Sequence, residues 1–154
     1  MDDVFISKET MKRILSDVKE IYKNPLEQHG IYYKHDEDNI LCGYIMIIGP
    51  SETPYQYGYY FFTIKFPENY PYSPPVVKFQ SNPYNVRFHP NFYRNGKVCL
   101  SLLNTWRGEQ WTSCQTLSSV LLTICSVMTN NPLLNEPGIT IRHKDNIPFN
   151  KIIT

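Results

Sequence analysis

The sequence predicts an α+β fold: one amphipathic helix, a four-stranded antiparallel meander, a long irregular loop and a second, more deeply buried helix. Three observations predict it. Apolar residues recur at three- and four-residue steps over 8–23 and again over 115–130, the period of a helix with one buried face. Between them lie four runs rich in β-branched and aromatic residues, which suit a pleated, half-buried surface. The links between these runs are too short for the helical crossovers that parallel strands need.

The first helix spans 8–23. Ser7 suits its N-cap, Glu9 suits the positive first turn, and Asn24-Pro25 stops it. Met11, Ile14, Leu15, Val18, Ile21 and Tyr22 form its stripe, while Lys8, Lys12, Arg13, Lys19 and Lys23 fall off it and are expected to face solvent. Strands follow at Ile31–Lys34, Ile40–Ile48, Tyr57–Phe66 and Val76–Gln80. Pro67-Glu68-Asn69-Tyr70-Pro71-Tyr72-Ser73-Pro74-Pro75 is a stiff loop, because its four prolines remove ladder donors. Residues 81–115 show no clear period, and so long an irregular stretch inside one domain is usually functional. The second helix, 115–130, carries Leu117, Val120, Leu121, Ile124, Val127 and Met128, widened by Leu122 and Cys125. Thr112 or Ser113 is expected to cap it and Asn131-Pro132 to end it, with only a helical beginning near 149–153 in an irregular tail.

At 154 residues and 42% hydrophobic content the chain can bury one core without a metal or disulfide. A net charge of +1 argues against a dedicated nucleic-acid binder or a polybasic membrane anchor. Apolar runs stop well short of the roughly 20 residues a membrane span needs. Met1-Asp2-Asp3 lacks the basic and apolar regions of a secretory signal, so a soluble, intracellular protein is expected. The cysteines at 42, 99, 114 and 125 form no CxxC pair, which disfavours a zinc site, and an intracellular address disfavours disulfides. The chain has no alanine and abundant Ile, Asn, Lys and Tyr, as an AT-rich coding sequence from a protist or large virus would give.

The chemistry gathers in the irregular stretch, where His89-Pro90-Asn91 precedes Asn95-Gly96 and Val98-Cys99-Leu100. A loop cysteine just before a buried helix is expected to be exposed enough to react. Only a few per cent of a free thiol is thiolate at neutral pH, but thiolate is intrinsically nucleophilic toward an activated acyl donor. Composition alone leaves open whether Cys99 is such a nucleophile or a core thiol. Asn91 offers a neutral amide suited to a developing oxyanion. His89, next to a proline, reads as a structural, hydrogen-bonded residue rather than the base of a Cys-His hydrolase. Trp106 and Trp111 read as structural pins of an exposed loop.

Four strings in this order resemble the ubiquitin-conjugating enzymes: Gly49-Pro50-x-x-Thr53-Pro54-Tyr55-x-x-Gly58, Phe66-Pro67-x-x-Tyr70-Pro71-x-x-Pro74-Pro75, His89-Pro90-Asn91, and Gly96-x-x-Cys99-Leu100. The chain looks closest to the larger, divergent branch of that family, with Cys-Leu-Ser at 99–101, Thr-Trp-x-Gly at 105–108, Trp111, and Asn-Glu-Pro-Gly at 135–138. The resemblance implies a single conjugating core domain over 1–154, with the C-terminal helices truncated and the final helix missing. It implies a transferase, with the alternative of a non-catalytic variant that binds ubiquitin or a ligase. An activating enzyme would pass ubiquitin or a ubiquitin-like modifier to Cys99 as a thioester. A substrate lysine, or a RING- or HECT-type ligase, would then complete the transfer. No cofactor or metal is implied, since ATP is consumed by the activating enzyme, and neither nucleic acid nor membrane is an expected partner. The expected location is cytoplasmic, nuclear or both, or the host cytoplasm if a virus encodes the chain.

By the same resemblance Asn91 would stabilise the oxyanion and His89 and Pro90 would shape the loop. Lys8 and Lys12 would meet the activating enzyme, and Tyr72, Ser113 and Cys114 would meet a ligase. Two departures stand out. Thr112-Ser113-Cys114 replaces the Ser-Pro-Ala that many relatives carry after the tryptophan. Leu133-Leu134 follows Asn131-Pro132 where relatives often place an acidic residue. Asn135 and Glu136 are then the nearest polar candidates for activating the attacking amine.

Overall fold

Ser7 accepts a hydrogen bond from the Thr10 backbone N–H at 3.1 Å and opens α1, Lys8–Lys23, as its side-chain chemistry predicts. A computed structural model describes residues 5–154; the acidic opening Met1-Asp2-Asp3 lies outside the described residues. Ile14, Val18 and Ile21 of α1 are buried. Leu15 and Tyr22, expected on the stripe, are 45% and 57% exposed. Thr10 and Asp17 take buried places instead, because each has a partner there. The Thr10 hydroxyl donates to the Tyr70 carbonyl at 2.9 Å. Asp17 accepts from the Tyr70 hydroxyl, from Arg13 Nε at 3.1 Å and from the Leu117 N–H at 3.1 Å. Arg13 is likewise drawn off the solvated face and donates to the Ser113 carbonyl at 2.8 Å and to the Gln115 carbonyl.

The strands are β1 (Ile31–His35), β2 (Cys42–Ile48), β3 (Tyr59–Lys65) and β4 (Val76–Phe79). They pair antiparallel in sequence order, the meander expected from the short connections. Alternation puts Ile31, Ile45, Ile47, Phe62, Ile64, Val77 and Phe79 into the core. The opposite face carries Tyr32, Met46 and Phe61 in one register row. The loop after β2 folds back on the sheet at Gly49, where a Cβ would lie 1.6 Å from the Tyr55 carbonyl oxygen, so only glycine fits.

The second helix, α2, covers Leu117–Ser126, shorter than expected at both ends. Thr116, rather than Thr112 or Ser113, caps it in a reciprocal capping box with Ser119. Arg13 holds the Gln115 carbonyl outside the helix. At the other end, the Val127 carbonyl is taken by His89 and Asn135. Leu117, Val120, Leu121 and Ile124 are buried as predicted, whereas Leu122 is 41% exposed. The tail is more ordered than its sequence pattern suggests. A 3₁₀ turn spans Pro132–Asn135, and α3 spans Asn146–Ile153 with Ile153 buried. No helix among the described residues is long and apolar enough to cross a membrane.

Candidate active site

The loop between β4 and α2 is built on aromatic packing. Phe92 lies 5.2 Å from Phe62 and 5.4 Å from Phe79, ring centre to ring centre, which fixes the segment after Asn91 to the sheet. Isolated bridges pair Phe92 with Val98 and Lys78 with Lys97. The chain therefore turns at Arg94-Asn95-Gly96 and returns Cys99 beside Asn91. Gly96 makes that turn at φ +91°, a conformation few other residues adopt.

Asn91 and Cys99 are joined twice. The Cys99 N–H donates to the Asn91 carbonyl at 2.8 Å, and Asn91 Nδ2 donates to the Cys99 carbonyl at 2.7 Å. Asn91 is buried and its Oδ1 has no hydrogen-bond partner. An amide nitrogen carries two hydrogens, so one remains beyond that held by Cys99. Thr105 brackets the cysteine from the other side. Its hydroxyl accepts from the Leu100 N–H at 2.9 Å and lies 3.0 Å from the Val98 carbonyl to which it donates.

His89 is fully buried, its ring tilted against that of Phe92 with centres 4.6 Å apart. Its Nδ1 accepts the Asn91 N–H at 2.9 Å, which assigns the proton to Nε2, and Nε2 donates to the Val127 carbonyl at 2.6 Å. Burial lowers its pKa from 6.5 to about 4, against the opposing pull of the Val127 carbonyl. Both nitrogens are thus occupied in a neutral ring. The histidine ties the Cys99 loop to the end of α2 and offers no base for a hydrolase. Pro90 is buried beside it, and its carbonyl accepts from Arg87 Nη2 at 2.7 Å.

Cys99 corrects one expectation: it is 1% exposed, because the loop folds inward. Tyr93 flanks it. The neighbouring thiol first, and desolvation second, push the phenol above its usual pKa. Arg87 lies 4.9 Å from the centre of the Tyr93 ring and 3.3 Å from Glu136 Oε2. Arg87, Tyr93 and Glu136 line a depression of about 550 Å³ with Arg94 and Asn95. Glu136 is thereby brought to the flank of the site. Asn135 is not: its Nδ2 donates to the Val127 carbonyl at 3.3 Å, on the scaffold side.

The partner-binding candidates form a second group. Tyr72 is 66% exposed and donates to Glu9 at 3.0 Å, next to exposed Lys8 and Lys12. Ser113 and Cys114 are exposed, and Arg13 holds the Ser113 carbonyl against α1. Trp111 pins the two loops through Nε1 on the Pro71 carbonyl at 2.7 Å. The start of α1, the proline loop and the segment before α2 are therefore one surface. Sequence reasoning missed Arg87, Tyr93 and Thr105. Thr105 was visible within Thr-Trp-x-Gly, and Tyr93 two residues after Asn91, but nothing in their spacing marked a contact.

The family model described as ubiquitin-conjugating enzyme matches residues 13–151. Ubiquitin-conjugating enzyme E2 Z of Xenopus tropicalis is 46% identical over 138 residues, covering 89% of this chain and 44% of that protein. The dual E2 ubiquitin-conjugating enzyme/E3 ubiquitin-protein ligase BIRC6 of Homo sapiens is 42% identical over 116 residues, covering 71% of this chain and 2% of that protein. The solved structure of human ubiquitin-conjugating enzyme E2 G1 superposes with a TM-score of 0.68 at 27% identity, covering 80% of this chain and 97% of that one. The chain spans less than half the length of these curated relatives.

Proposed function

The chain belongs to the ubiquitin-conjugating enzyme family, and from that premise we propose that it carries ubiquitin or a ubiquitin-like modifier as a thioester on Cys99. The observation that carries the reading is the double tie between Asn91 and Cys99, which holds a thiol and an amide donor in one loop. In the first step the Cys99 thiolate attacks the carbonyl carbon of the modifier's C-terminus, held as a thioester on the activating enzyme. The tetrahedral intermediate expels the activating enzyme's thiolate, and the new thioester bond is on Cys99. In the second step an uncharged lysine amine, or a ligase thiolate, attacks the same carbon and Cys99 leaves as thiolate. A lysine attack also releases a proton, which needs an acceptor.

Asn91 serves that chemistry in two ways. One Nδ2 hydrogen fixes the Cys99 carbonyl, and the other is the donor for the oxyanion. His89 and Pro90 hold the loop, with the neutral imidazole bonding at both nitrogens. Glu136, on the flank of the depression, is the group nearest to receive an incoming ammonium. ATP acts through the activating enzyme, and this chain needs no cofactor of its own. Lys8 and Lys12 form the face for the activating enzyme. Tyr72, Ser113 and Cys114, gathered with the start of α1, form the face for a RING- or HECT-type ligase. Cytoplasm and nucleus are the compartments this role calls for.

Incubation with activating enzymes, ATP and a panel of modifiers tests the reading. A band heavier by one modifier, removed by reductant and missing from Cys99→Ala, is the expected result. No band with any pair favours a binding module of the same fold.

A further inference from the structure

We infer that the β4 side of the sheet is a docking surface for an extended acidic segment of a partner protein, held by Lys65, Lys78 and Lys97 over two apolar depressions. The strand register places these lysines on one face. Cys42 pairs with Lys65 and Lys65 with Val76, while Thr63 pairs with Lys78 and Lys78 with Lys97. Residues directly opposite in antiparallel strands project from the same side. That side is the outer one, since Lys65, Val76, Lys78 and Lys97 are exposed while Ile64 and Val77 are buried. Lys78 and Lys97 thus put like charges opposite each other, an arrangement that destabilises the free chain.

No carboxylate among the described residues pairs with that charge. The ion pairs there are Arg13–Asp17, Arg87–Glu136 and His143–Asp145, and none involves the three lysines. Asp36, whose N–H donates to the Cys42 carbonyl, is already engaged. Its carboxylate accepts from the Tyr44 hydroxyl at 2.8 Å and from the N–H groups of Asp38 and Asn39. Two depressions flank β4, and Val76 and Lys78 line both. One, of about 340 Å³, is walled by Pro74, Pro75, Val98 and Leu103 and carries Lys97. The other, of about 330 Å³, is walled by Cys42 and Ile64 and carries Lys65. With one on each side of β4, and strands about 4.8 Å apart, they sit roughly 10 Å from each other. Three residues of extended chain span that distance. An occupant with an apolar side chain in each depression and carboxylates between them meets Lys78 at its middle and Lys65 and Lys97 at its flanks. The two linings hold no arginine and a single aromatic, Tyr44, so they offer no stacking platform for nucleic-acid bases. A bare phosphate would leave the apolar walls unused.

The test titrates the protein alone into a fluorescein-labelled peptide, Glu-Leu-Asp-Glu-Leu-Glu flanked by Gly-Ser, and reads fluorescence anisotropy. Saturable binding is expected. Lys78→Ala should weaken it by about two- to fivefold, the worth of an exposed ion pair. Reversing both charges, Lys78→Glu with Lys97→Glu, should weaken it by roughly tenfold or more. Val76→Asp, which charges the wall that the depressions share, should weaken it at least as much as Lys78→Ala. Lys151→Glu, on α3 and outside both linings, changes the net charge equally and should leave binding unaltered. Peptides with Gln and Asn for the acids, or Ser for both Leu, should bind measurably more weakly. Urea unfolding checks the fold: Lys78→Glu sets opposite charges across the bridge to Lys97 and should unfold at no lower urea than the unaltered protein. Absence of saturable binding would overturn the surface, as would equal affinity for the uncharged peptide or equal weakening by Lys151→Glu. An oligonucleotide of equal charge that displaces the probe as well as unlabelled peptide does would also overturn it. Because no modifier or activating enzyme is present, failure here is distinct from failure to form a thioester.

Discussion

At His89 a single buried ring couples the active loop to the stability of the whole chain. Its folded pKa of about 4 lies below the ordinary 6.5, so the native state favours the neutral form. As pH falls below 6.5 the unfolded chain takes up the proton first. The contribution is therefore fully present above 6.5, is lost progressively toward 4, and changes no further below that. The span corresponds to on the order of 3 kcal/mol. Urea unfolding at several pH values should show a steeper loss of stability over this window in the unaltered protein than in His89→Gln. Parallel curves would remove the argument. Asn91→Ala leaves the Cys99 carbonyl unpaired and should cost about 1–3 kcal/mol of stability. It should also slow transfer to free lysine by about 10²-fold, the effect of one lost oxyanion donor, with charging less affected. Equal loss in both steps would make Asn91 a scaffold alone.

Among the elements, the junction of α1, the proline loop and the start of α2 is the most cross-linked. Asp17 takes hydrogen bonds from Tyr70, Arg13 and the Leu117 N–H, the last at the positive end of α2. Asp17→Asn removes the charge that Arg13 and the helix start both face. It should lower unfolding stability by about 3 kcal/mol, measured by denaturant titration at neutral pH. A change within a few tenths of a kcal/mol would show that Arg13 finds other partners. The same junction explains where the sequence was legible. The strands, their order and both helices follow from period and connection length. The rotation of α1 did not, because Asp17 and Thr10 read as solvent residues until Tyr70, more than fifty positions away, supplies their partners. The early end of α2 was hidden likewise, since the Val127 carbonyl is claimed by His89 and Asn135.

For the molecule as a whole, the sheet and α2 form a platform that presents a loop of opposite accessibilities. Cys99 and Asn91 were legible as a pair, eight residues apart in an irregular stretch. The groups around them, Arg87, Tyr93 and Glu136, come together across as many as 49 positions, and no local pattern announces that. Exposure misled in the other direction: Cys114 lies open on the surface while Cys99 is covered. The account holds that the covered thiol, and not the open one, receives the modifier. Intact-mass measurement after incubation with ATP, activating enzyme and modifier, followed by peptide mapping, tests this most directly. The account predicts one modifier joined through a thiol-labile bond at Cys99, retained in Cys114→Ser and converted to a thiol-resistant ester in Cys99→Ser. A modifier found on Cys114, or charging that survives in Cys99→Ala, would contradict it.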